Sequence, residues 1–101
     1  MKYWPLLILL FATSLLMGQT SVDGEIPGLN MYPNPVSDGT LNIRTPQAKT
    51  KQITVFDVFG APVLQTNLRG EQLNVSSLPA GVYVIRITEE RKTATRKLIV
   101  K

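Results

Sequence analysis

An all-β fold, a small antiparallel β-sandwich of about seven strands behind a cleaved N-terminal signal peptide, is what this sequence predicts. Two observations carry the prediction. From Leu29 onward short β-prone runs alternate with turn signals about every 8 to 12 positions, and no window sustains the apolar period of a helix. Ahead of them Lys2 supplies a short positive region, Trp4 to Met17 is apolar apart from Thr13 and Ser14, and Gly18 opens polar sequence. That is the layout of a secretory signal peptide.

A membrane anchor is the competing reading of this leader. As a helix, residues 4 to 17 reach only about 21 Å, short of the roughly 30 Å hydrocarbon core, and Pro5 weakens the helix further. The chain has no cysteine, so a lipoprotein signal is excluded and no disulfide can staple the exported domain. The predicted division is a signal peptide over residues 1–18, a flexible polar lead-in over 19–28 and a β-domain over 29–101. A domain this small buries about 60 to 65% of its unfolded surface, so one compact core must supply its stability.

Each strand follows from local chemistry. Leu29 to Tyr32 is a short first strand, ended by Pro33-Asn34-Pro35 because two prolines fix φ and remove ladder donors. Ser37-Asp38-Gly39 turns the chain. Thr40 to Thr45 alternates, with Leu41 and Ile43 on one side and Asn42 and Arg44 on the other, and Pro46 ends it. Lys51 to Val58 carries Ile53, Val55, Phe56 and Val58 on both faces, which predicts a central strand covered on both sides at its end. In the turn that follows, Gly60 can take positive φ and Asp57 can accept nearby backbone donors.

Pro62 to Leu68 is the partner strand, and after Arg69-Gly70 the run Gln72 to Val75 directs Leu73 and Val75 inward. Leu78-Pro79-Ala80-Gly81 re-aims the chain. Val82 to Thr88 then sets Tyr83, Ile85 and Ile87 on one face and Arg86 on the other. Glu89-Glu90-Arg91-Lys92 is predicted as an exposed hairpin tip. The last strand, Thr93 to Lys101, buries Leu98 and Val100 between outward Lys97 and Lys101.

Chemistry has little to work with. The chain contains no histidine and no cysteine, which removes thiol and imidazole nucleophile pairs and the usual zinc ligands. The carboxylates lie at predicted turns, strand ends or the lead-in, where capping and solvation are their ordinary roles. The oxygen spacing around Asp38 and Asp57 does not resemble a calcium loop, and Asn74-Val75-Ser76 is a short glycosylation match inside a predicted strand. No enzyme activity, cofactor or metal is expected. Net charge is +4, and Arg91, Lys92, Arg96, Lys97 and Lys101 crowd the last eleven positions. Without interleaved aromatics or a binding motif, and behind an export signal, this points to guarded strand faces and not to nucleic acid.

From about Leu29 to Lys101 the chain resembles the C-terminal sorting domain, type A, of cargo exported by the type IX (Por) secretion system of Bacteroidetes. The resemblance is carried by Tyr32-Pro33-Asn34-Pro35, Leu41-Asn42-Ile43, Ile53 to Asp57 with Gly60, Leu73-Asn74-Val75, Leu78-Pro79-Ala80-Gly81-Val82-Tyr83, and the end Lys97-Leu98-Ile99-Val100-Lys101. It implies an immunoglobulin-like, non-catalytic sandwich that serves as an address. Such proteins cross the inner membrane by a signal peptide and fold in the periplasm without stable membrane insertion. The outer-membrane translocon then reads the domain, and a cell-surface sortase commonly removes it and attaches the cargo; otherwise the protein is released.

In that family the domain normally follows a large cargo, whereas here only Gln19 to Gly28 intervenes after the predicted cut. The last strand, with Lys97 and Lys101 and the terminal carboxylate, is expected to present an accessible sheet edge for a receptor. The alternative expectation is a free-standing secreted sandwich that binds a ligand or protein in its own right.

Overall fold

Apolar alternation sorts the described residues into seven strands: β1 Asn30–Tyr32, β2 Thr40–Arg44, β3 Lys51–Phe56, β4 Pro62–Leu68, β5 Gln72–Asn74, β6 Gly81–Glu89 and β7 Lys92–Val100. The computed structural model describes residues 25–101; the predicted signal peptide and residues 19–24 of the predicted lead-in lie outside the described residues. All strand pairs are antiparallel, in a three-stranded sheet ordered β1-β2-β5 and a four-stranded sheet ordered β4-β3-β6-β7. This is an immunoglobulin-like arrangement in which the fourth strand joins β3 instead of extending the sheet of β5.

One core lies between the sheets. Leu41, Ile43, Leu73 and Val75 meet Ile53, Val55, Ile85, Ile87 and Leu98 in a single buried cluster. The period-2 rule placed Leu41, Ile43, Leu73, Val75, Ile85, Ile87 and Leu98 inward, whereas Ile53 and Val55, on a strand with apolar residues on both faces, are assigned inward by the fold; removing such side chains from water is the main favourable term in folding.

Three expectations are corrected. β3 stops at Phe56 and Val58 is 71% exposed, so the end of this strand is not covered on both sides. The reason is the Asp57 turn: Asp57 Oδ1 accepts from the backbone N–H of Phe59 at 2.9 Å and of Ala61 at 3.0 Å, and Gly60 takes φ 83°. The chain therefore reverses before Val58 can join the ladder.

Glu89 is not part of an exposed tip. It is 5% exposed, and Lys51 opposite it is 2% exposed. Parity explains this: the inward series Tyr83, Ile85, Ile87 continues to Glu89, and Val55, Ile53 continues back to Lys51, so the two charges meet indoors. Lys51 Nζ lies 3.2 Å from Glu89 Oε2, which also accepts from Thr45 Oγ1 at 2.5 Å and from the Lys49 N–H at 3.0 Å. Lys51 donates as well to the Lys49 carbonyl at 2.9 Å. Burial opposes the Glu89 charge, but these donors outweigh it and hold the carboxyl below its ordinary range.

The third correction concerns the edge of β7. After β1 the chain crosses between sheets through Pro33-Asn34-Pro35, both X-Pro bonds being cis, and Val36 bridges Val100 in parallel. The terminal half of β7 is thus a covered edge.

Candidate functional site

The residues singled out from the sequence converge on one end of the four-stranded sheet. Antiparallel pairing sets Gly81 opposite Val100, Val82 opposite Ile99 and Tyr83 opposite Leu98, so the Leu78–Tyr83 motif lies against Lys97–Lys101 through β6 and β7. On the far side of β7 stands the proline-bounded motif. Asn34 Nδ2 donates to the Lys97 carbonyl at 2.8 Å, and Asn34 Oδ1 accepts from the Ile99 N–H at 2.9 Å. Its amide therefore reproduces the donor-acceptor pair of a missing strand.

Val36 completes the cap with backbone groups: its N–H donates to the Ile99 carbonyl at 2.8 Å, and its carbonyl accepts from the Lys101 N–H at 2.8 Å. Prolines suit both flanks because they need no ladder donor there. Pro33, Asn34 and Pro35 are exposed, whereas Val36 is fully buried and anchors the cap in the core. Val36 was missed in the sequence; its signal was a lone apolar residue between Pro35 and Ser37.

Leu78 to Tyr83 is held by its own lock. The Tyr83 hydroxyl donates to the Pro79 carbonyl at 2.5 Å, and the Leu78 N–H donates to the Val75 carbonyl at 3.0 Å. A buried Tyr bonding back across a turn into its strand resembles the tyrosine corner of immunoglobulin sandwiches. Leu78 and Tyr83 are both 7% exposed, while Pro79, Ala80 and Val82 face solvent.

Asp57 and Gly60 lie at the same end of the sheet, since Phe56 pairs with Val84, but their bonds stay within their own turn. Tyr32 ends β1, with its carbonyl accepting from Asn42 Nδ2 at 3.2 Å; Lys97 and Lys101 are exposed beside buried Leu98.

Among the described residues no group of three or more His, Cys, Asp or Glu is placed to hold a metal. A groove of about 360 Å³ at the opposite end, lined in part by Glu89, Glu90 and Lys92, offers one carboxylate already bound to Lys51 and one on an exposed turn.

Comparison with known proteins agrees with this architecture. A family profile described as the secretion system C-terminal sorting domain matches residues 30–101. Among solved structures, the chain is similar to part of PorZ, described as an essential bacterial surface component of the type-IX secretion system of human oral-microbiomic Porphyromonas gingivalis. The likeness has a TM-score of 0.58 at 19% identity and covers 81% of this chain but 12% of that one. It shows the shared fold. No curated protein matches. With the profile spanning all seven strands, the chain belongs to the family of type IX (Por) secretion system C-terminal sorting domains.

Proposed function

We propose that residues 30–101 act as a non-catalytic export address, read by the outer-membrane type IX translocon and followed by surface attachment through a sortase or by release. Family membership already implies export and a surface or secreted fate. The observation that carries the finer reading is the bonding of two motifs 63 and 65 residues apart, Asn34 with Lys97 and Ile99, into one closed edge. A receptor that meets this edge meets both ends of the folded domain at once, so it distinguishes a completed domain from an unfolded chain. The residues assigned to the address are Tyr32 to Pro35, Leu78 to Tyr83 and Lys97 to Lys101, with Asp57 and Gly60 shaping the adjacent turn.

The test is a periplasmic reporter fused ahead of residues 30–101 in a host with the system. The reporter should appear outside the cell, and Asn34→Ala should lower its export at a temperature where the domain stays folded. Retention of the unaltered fusion in the periplasm would sink the reading.

A further inference from the structure

Among the described residues, the large apolar side chains left exposed are Tyr32 and a group of five, Val58, Phe59, Val63, Val82 and Val84. The group gathers on and around the outer face of the four-stranded sheet. With Tyr83, Ile85 and Ile87 inward, parity turns Val82, Val84 and Arg86 outward. Pairing then sets Phe56 and Lys97 on either side of Val84, with Ile99 beside Val82. Phe56 leads directly into the turn that exposes Phe59 at 92%.

The charges of this face are of one sign. Arg86 lies with its guanidinium 5.0 Å from the centroid of the Phe56 ring, which keeps a cation over the apolar surface. Lys97 rises from the neighbouring strand, and Lys101 follows at the strand end. Glu89 is the acidic residue of the four strands, and it points inward to Lys51. Asp57, in the turn, is occupied by its own backbone donors.

We propose that this face docks a protein whose matching surface is apolar at its centre and acidic at its rim. The inference rests on the sorting reading and names the surface by which the domain is held. Val82, Val84 and Ile99 are β-branched and lie along a pleated sheet, which offers a partner a low, shape-definable surface. Their cationic surround would speed encounter with an acidic partner and exclude basic ones. The capped edge bounds this face along β7, so a partner held on the face also meets the closed edge, and the cap keeps β6 and β7 in place when it does.

The experiment uses the reporter fusion with the intact domain. Val84→Glu should cut export about tenfold or more, the effect of losing a central contact, with the thermal midpoint little changed because the side chain is already exposed. Val84→Thr, which keeps the shape and strand preference, is the second variant should the glutamate disturb folding; it should lower export less. Arg86→Glu with Lys97→Glu should also reduce export. A photo-crosslinker at Val82 should yield a protein adduct that Val84→Glu abolishes, while one at Gln72 on the other sheet should not.

Unaltered export of folded Val84→Glu, with the parent fusion exported, overturns the docking face and leaves the sorting reading standing. A parent fusion confined to the periplasm sinks the sorting reading, and this inference with it. Full export of the double charge reversal overturns the acidic rim. Binding to phosphatidylcholine–phosphatidylglycerol vesicles that Val84→Glu abolishes, without any protein adduct, overturns a protein partner in favour of a lipid one.

Discussion

The two edges of the four-stranded sheet are treated in opposite ways. At β7 the outward backbone groups of Lys97, Ile99 and Lys101 are taken up by Asn34 and Val36, and the strand carries Lys92, Arg96 and Lys97. At β4 no cap is present among the described residues, and Pro62 to Leu68 contains no charged residue. The β4 edge is blunted only by Pro62 at its first position and by the register shift opposite Val55 and Phe56. Long-range bonding thus closes one edge, and local geometry alone shapes the other. Damage at β7 should therefore propagate into the core, and damage at β4 should stay where it is made.

The largest expected contrast is in the core beneath each edge. Leu98 is fully buried, so Leu98→Ala should cost about 2 to 5 kcal/mol in urea unfolding; Leu64, half-buried under β4, should cost about 1 kcal/mol on the same change. Equal losses would mean that the edges do not differ in this way.

Next comes the cap. Asn34→Ala removes two side-chain bonds to β7 and should destabilise by about 1 to 3 kcal/mol, with faster amide exchange at Ile99. Gln65→Ala on β4 should stay within about 0.5 kcal/mol. Exchange at Ile99 that is untouched by Asn34→Ala would break the comparison.

Acid sharpens it differently, because Glu89 and Lys51 sit at the end of β6 and β3, between the two edges. The Glu89 carboxyl is held below its ordinary range in the folded protein. Its contribution is thus complete above the unfolded value, about 4.3, and is lost as pH falls through the lower folded value. Stability should decline in acid to the same extent in the parent and in Asn34→Ala, and Glu89→Gln should flatten that decline. A parent and cap variant with different acid responses would show the two regions to be coupled.

The smallest effect is expected at β4 itself: Gln65→Lys should leave the urea midpoint nearly unchanged while raising the concentration at which the protein self-associates on heating. Light scattering on both proteins checks it.

Much of this fold was legible because strand chemistry is local. Leu41 and Ile43, Leu73 and Val75, and Tyr83, Ile85 and Ile87 announced their faces by alternation, and every one of them is buried. The turns at Asp57-Gly60 and Leu78-Gly81 could be read from their glycine and proline positions. Two features could not. Lys51 and Glu89 follow the same alternation as their apolar neighbours, but which charges meet across a sheet depends on register between strands distant in sequence. The closure of β7 by Asn34 likewise needs a contact across 63 to 65 residues.

The strands, the inward faces of all but β3 and the family to which they belong can be read from the residues alone, since these rest on period-2 patterning and on motifs in fixed order. Tertiary structure alone decided which edge is closed, which ion pair is buried and where the apolar, cationic face stands. Those outcomes depend on which strands become neighbours, and backbone pairing over long loops is not written in any one segment.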